Sequence, residues 1–209
     1  IINDISIDLP HWRDKEDKAF TKLVDKIYSI LTIRESKKEQ SRGEATKKPI
    51  QLPNVQAGAM TGFIELLEDI GSRTDLYKLG EDLNLDLEDF IPILDAASLL
   101  NFVKIQEGDV ELTEIGRKFA EATVLERKDL YRQQVLKYVP IITQIMSALN
   151  SKANGKMPEE FFLNILGRQF GVEEAVQQLN IAIDWGRYAE LFAFDESAGQ
   201  LYLERDTGE

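Results

Sequence analysis

The sequence predicts a mainly helical fold with small β-hairpins, in which winged-helix-like units are joined to long helices. Three observations predict it. Apolar residues recur at spacings of three and four through most of residues 57–209, two pairs of short alternating runs flank glycine-containing turns, and the order helix, helix, strand, turn, strand occurs twice. With 209 residues, 43% of them hydrophobic, the chain can bury a core. No apolar stretch approaches the roughly 20 residues that a membrane span needs, and the start, IINDISIDLP, lacks the basic-then-apolar build of a signal peptide. The absence of cysteine excludes disulfides, Cys-based zinc sites and thiol catalysis, and fits a reducing compartment.

Taken in order, residues 1–9 alternate, with Ile1, Ile5, Ile7 and Leu9 on one side, a strand pattern that Pro10 ends. Phe20, Leu23, Val24, Ile27, Tyr28 and Leu31 then mark one face of an amphipathic helix. A lone strand leaves its hydrogen-bonding groups unpaired. Its partners are therefore expected upstream, and a first residue other than Met fits a fragment or a processed product. Residues 34–56 are polar and basic, interrupted by Pro49 and Pro53, and read as a linker; their charge would also suit anionic lipid headgroups or an acidic partner.

The helical body opens with Phe63, Leu66, Leu67 and Ile70 and its first helix closes at Gly71, a natural terminator. After DLYKLGEDLNL a helix is expected from about Leu87 to Asn101, capped by Asp86, with Glu88 and Asp89 in its positive first turn and Pro92 demanding local adjustment. FVKIQ and VELT around Glu107, Gly108 and Asp109 predict a hairpin. Thr113 is placed to cap the helix EIGRKFAEA, and a long helix from about Val124 to Ser151 should kink at Pro140. Its apolar face between Val135 and Leu149 is broad enough that self-association as a homodimer is one use for it. PEEFFLNILGRQF predicts a helix opened by Pro158, followed by a long helix from about Glu173 to Leu191 and a hairpin of Phe192–Phe194 and Leu201–Leu203 around DESAG.

Charge narrows the function. Residues 1–56 hold 11 basic and 9 acidic groups, leaving 14 basic and 28 acidic for residues 57–209. Such a body repels phosphate backbones. The helix from Leu87 to Asn101, which in a winged-helix DNA-binding regulator would enter the major groove, has no Lys or Arg. No nucleic-acid partner is expected, and a DNA-binding transcriptional regulator stays as the alternative function. His11 is the only histidine, so neither a His-based triad nor a multi-histidine metal site can be assembled, and no GxxxxGK[ST] loop is present. No catalytic, metal or cofactor-binding residue is assigned.

The densest local chemistry is the run Ile183–Asp195, IDWGRYAELFAFD. Helical spacing puts Asp184 beside Arg187 and Tyr188. With Trp185 and Glu190 these are the candidate ligand or partner contacts, since Arg among aromatics is a usual interface anchor. A structural role competes: Trp185 and Tyr188 would seal a core edge with their polar tips hydrogen-bonded, while Arg187 pairs with Asp184 or Asp195. Gly186 in mid-helix points to a close contact in either case.

DLYKLGEDLNL, LLNFVKIQEGDVELTEIGRKFAEA, ERKDLYRQQVL and IDWGRYAELFAFDESAGQLYLE together resemble the AAA-associated C-terminal domain over about Phe63 to Glu204. That domain ends the ATP-binding subunits of ATP-binding cassette importers of the nitrate, sulfonate, taurine and bicarbonate type. ISIDLPHWRD followed by FTKLVDKIYSILT resembles the end of such an ATPase domain, where Pro-His-Pro-Arg is usual and Trp12 here replaces the second proline. The resemblance implies three parts: residues 1–33 close a preceding ATPase domain and add an amphipathic helix, residues 34–56 form the linker, and residues 57–209 form the accessory domain, with halves of about 57–122 and 123–205. It implies regulation of the motor or stabilisation of its dimer, with ATP and Mg belonging only to the ATPase domain. The implied partners are that domain and the permease subunits, and the implied location is the cytoplasmic face of the membrane, reached through the complex.

Overall fold

The computed structural model describes residues 50–83 and 87–204. The strand expected over 1–9, the amphipathic helix, most of the linker and Asp86 lie outside the described residues. Eight helices and six strands follow in the order α1 (Ala57–Asp69), β1 (Arg73–Asp75), α2 (Leu76–Leu83), α3 (Leu87–Leu99), β2 (Val103–Gln106), β3 (Asp109–Leu112), α4 (Glu114–Glu121), α5 (Val124–Tyr138), α6 (Pro140–Asn150), β4 (Lys156–Pro158), α7 (Glu159–Phe170), α8 (Val172–Tyr188), β5 (Ala193–Asp195) and β6 (Gln200–Tyr202) among those residues. The chain is mainly helical with small antiparallel hairpins, as its periodicity predicts.

The repeated order is larger than expected. Helix, strand, helix, helix, strand, strand runs from α1 to β3 and again from α6 to β6, with α4 and α5 between. Each hairpin gains a third strand, giving antiparallel sheets ordered β1-β3-β2 and β4-β6-β5. The β2–β3 hairpin turns on Glu107 and Gly108, both at positive φ (55° and 88°), the type I′ geometry whose twist matches that of paired strands. Its register runs from Val103 opposite Leu112 to Gln106 opposite Asp109. In the second hairpin Asp195 Oδ1 accepts from the Ser197 and Ala198 N–H groups and from the Ser197 hydroxyl, which closes the turn.

Two helix boundaries differ from the expected ones. The helix over Val124–Ser151 is two helices, because Val139, held extended by the proline that follows it (φ −115°, ψ 91°), ends α5 and Pro140 begins α6. Helix α8 stops at Tyr188, and Glu190 takes the left-handed position (φ 53°) while Leu191 N–H bonds Gly186 O at 2.9 Å, a Schellman-type ending. Thr113 caps α4 as its position predicts, its hydroxyl accepting from Gly116 N–H at 3.0 Å.

One cluster of buried apolar residues extends from Leu52 to Leu201 and draws on both repeats; Trp185, Tyr131, Phe90, Phe102 and Phe119 are its largest fully buried side chains. Residues 34–49 of the expected linker lie outside the described residues, and the described remainder, 50–56, is not a free tether. Leu52 is 2% exposed and Val55 packs on the core, so residues 50–56 are a strap bound to the body.

Candidate functional site

Gln178, Asp184, Trp185 and Tyr188 lie along one flank of α8, reached in steps of three, four and seven residues, and the strap runs over them. Gln178 is 1% exposed and its amide grips Leu52 from both sides: Leu52 N–H donates to Gln178 Oε1 at 2.6 Å, and Gln178 Nε2 donates to Leu52 O at 3.0 Å and, one turn back, to Glu174 Oε1 at 2.9 Å. The side chain thus pairs with strap backbone as a neighbouring strand would. Further along, Trp185 Nε1 donates to Val55 O at 2.9 Å and Ala57 N–H donates to Asp184 Oδ2 at 2.7 Å. Gln56, the residue before α1, offers no side-chain cap, so Asp184 supplies from α8 the acceptor that α1 lacks at its positive end. Thr61 Oγ1 donates to Ala57 O and shares a 3.1 Å hydrogen bond with the Tyr188 hydroxyl.

Glu190 sits apart from these four, beyond the helix end. It meets Lys128 Nζ at 2.5 Å and Arg132 Nη2 at 3.4 Å, and the hydrogen bond and charge of Lys128, then the Arg132 charge, hold its carboxyl below the usual carboxylate range. Arg132 Nε also donates to Ala189 O at 2.8 Å and so caps the α8 terminus. Arg187 is exposed, and among the described residues it pairs with neither Asp184 nor Asp195. Both carboxylates are occupied, Asp184 by the α1 terminus and Asp195 by its hairpin turn. Gly186 shows the close contact its position predicts: a Cβ there would lie 2.1 Å from Phe192 Cζ.

Two participants escape sequence reasoning. Gln178 is a polar residue on a buried face, and its only signal is that it precedes Trp185 by seven residues, two helical turns. Tyr131, from the segment ERKDLYRQQVL, lies at the centre of an aromatic cluster, 4.7 Å from Tyr188 and 6.4 Å from Trp185, Phe102 and Phe119 by ring centroids. Its hydroxyl and Gln134 Oε1 are buried without a hydrogen-bond partner among the described residues. Burial, and then the nearby Asp184 carboxylate, push the Tyr131 phenol well above its ordinary pKa, so it stays protonated. No group of three His, Cys, Asp or Glu positioned for a metal occurs among the described residues.

The polar tips of Asp184, Trp185 and Tyr188 are thus spent on protein groups. What this arrangement does chemically is hold one part of the chain to another. A family model described as the C-terminal AAA-associated domain matches residues 77–195, more than half of the chain, and includes every one of the predicted contact residues. No curated protein matches the chain, and no solved structure does.

Proposed function

Because this chain belongs to the C-terminal AAA-associated domain family, we propose that it is a non-catalytic accessory domain that regulates, or stabilises the dimer of, the ATP-binding subunit of an anion importer of the ATP-binding cassette type. The observation that carries this reading is the strap. Whatever precedes residue 50 reaches the body through a stretch gripped by Gln178, Trp185 and Asp184, so displacement of the upstream part is felt directly on α8 and at the α1 terminus. The order of elements in each repeat supports the winged-helix-like description. The partners on this reading are the chain's own ATPase domain and the permease subunits, which would keep it at the inner face of the membrane; no described helix is long and apolar enough to cross one. DNA binding finds no support in α3, whose Leu87–Leu99 sequence lacks any Lys or Arg.

The test uses two proteins. The isolated 209-residue chain should hydrolyse no ATP above background, and the full subunit carrying Gln178→Ala with Asp184→Ala should change its ATP turnover at least threefold. Turnover by the isolated chain, or an unchanged rate in the doubly substituted subunit, would overturn the proposal.

A further inference from the structure

An apolar groove of about 320 Å³ lies open between α6 and α7, with no charged residue in its lining. Ile141, Ile145 and Ala148 form one wall at helical spacing, and Phe161, Ile165 and Leu166 form the other. Phe161 is 43% exposed and Ile165 37%, so two large apolar side chains, one turn apart, face solvent in a concave site. A groove between two helices lined in this way takes an amphipathic helix, whose anchors recur at i, i+3, i+4 and i+7.

The same chain carries that pattern near its start. Phe20, Leu23, Val24, Ile27 and Leu31 stand at i, i+3, i+4, i+7 and i+11, and Lys18, Lys22 and Lys26 flank them. Local charge favours the meeting: residues 18–31 hold Lys18, Lys22 and Lys26 against one acid, Asp25, and Glu159 and Glu160 stand in the first turn of α7 at the end of the groove. Reach allows it as well. The described chain begins beside the first turn of α8, where Gln51 Nε2 donates to Glu174 Oε1 at 2.8 Å, and Gly171 alone separates α8 from α7. Ile165 is five residues back from the end of α7, roughly 8 Å at the helical rise. A coil of 18 residues, the number from 32 to 49, has a root-mean-square span of about 25 Å.

We propose that the apolar row Phe20 to Leu31 docks in the α6–α7 groove of its own chain. Tethering makes this encounter intramolecular and raises the effective concentration of the segment over any free competitor. One contact would cover both apolar surfaces.

The absence of native cysteine makes the test clean. Val24→Cys is combined in the full chain with Ser147→Cys, on the groove lining, or with Ser98→Cys, on exposed α3, and each pair is treated with a short bifunctional thiol cross-linker. Cross-linking within one chain should be at least tenfold faster for the groove pair. Adding Leu23→Asp with Ile27→Asp should abolish that advantage while the body still unfolds in one cooperative thermal transition. Equal rates for the two pairs, or an advantage that survives the aspartates, would overturn the proposal. Cross-links that join two chains at low concentration would also overturn it, and would assign the groove to a second copy.

Discussion

At single positions, the same substitution is expected to act with opposite sign on two helices. Gly62 lies in α1 with nothing within 4 Å of where a Cβ would stand, whereas a Cβ on Gly186 would enter the Phe192 ring. Gly62→Ala should therefore stabilise by up to about 1 kcal/mol through helix propensity. Gly186→Ala should lose about 1–3 kcal/mol, because overpacking outweighs the same gain; denaturant midpoints check both, and a stabilised Gly186→Ala would contradict the packing explanation. Asp95 gives a pH signature. Burial raises its carboxyl to about 6 from 3.8, so between these values the folded state holds the proton more tightly than the unfolded state and stability falls as pH rises. Asp95→Asn should gain about 1 kcal/mol at pH 7, a value already reduced for solvent screening of a half-buried group, and much less near pH 4. Equal gains at both pH values would refute this. The contact at Gly186 was legible in the sequence because a glycine in mid-helix asks for a reason. The partners of Asp184 were not, since an acceptor 127 residues from its donor leaves no local trace.

Among the elements, α5 acts as a strut. Arg127 Nε donates to Phe119 O at 3.2 Å and its Nη2 to Ala120 O at 3.1 Å and Ala122 O at 3.3 Å, while Nη1 pairs with Glu65 and the guanidinium lies 5.5 Å from the Phe119 ring centroid. It therefore satisfies the free carbonyl end of α4, as Arg132 does for α8. Arg127 is mostly buried and Arg132 about one third exposed. Arg127→Met should cost about 2–3 kcal/mol, since several carbonyls and a carboxylate lose charged donors together, and Arg132→Met should cost less than half of that. Unfolding in urea would show it, and the reverse order would contradict this account. Helices and hairpins with apolar periodicity were legible, as were the Thr113 cap and the turn at Gly108. The strands β1 and β4 were not: Arg-Thr-Asp and Lys-Met-Pro are too short to alternate and acquire strand geometry only by pairing with β3 and β6. The separation of α5 from α6 was half legible, since proline announces a disturbance but not whether the helix bends or ends.

Over the whole molecule, two copies of one element order share a single core, and the strap, held on α8 of the second, leads into α1 of the first. The helical class follows from periodicity because most of the buried surface is presented by helices with one apolar face. The role of the Ile183–Asp195 run does not follow, because its aromatic and charged composition suits a ligand pocket and an internal clasp equally well, and the strap that Asp184 and Trp185 hold leaves no trace in it. That clasp also orders events in time. Leu52 leaves the ribosome 126 residues ahead of Gln178, the residue that holds it. At about 5–20 residues per second this is roughly 6–25 s during which the strap has been made and its binding site has not. Any domain upstream thus has the interval to fold on a loose leash before the last long helix is translated and the connection is drawn tight.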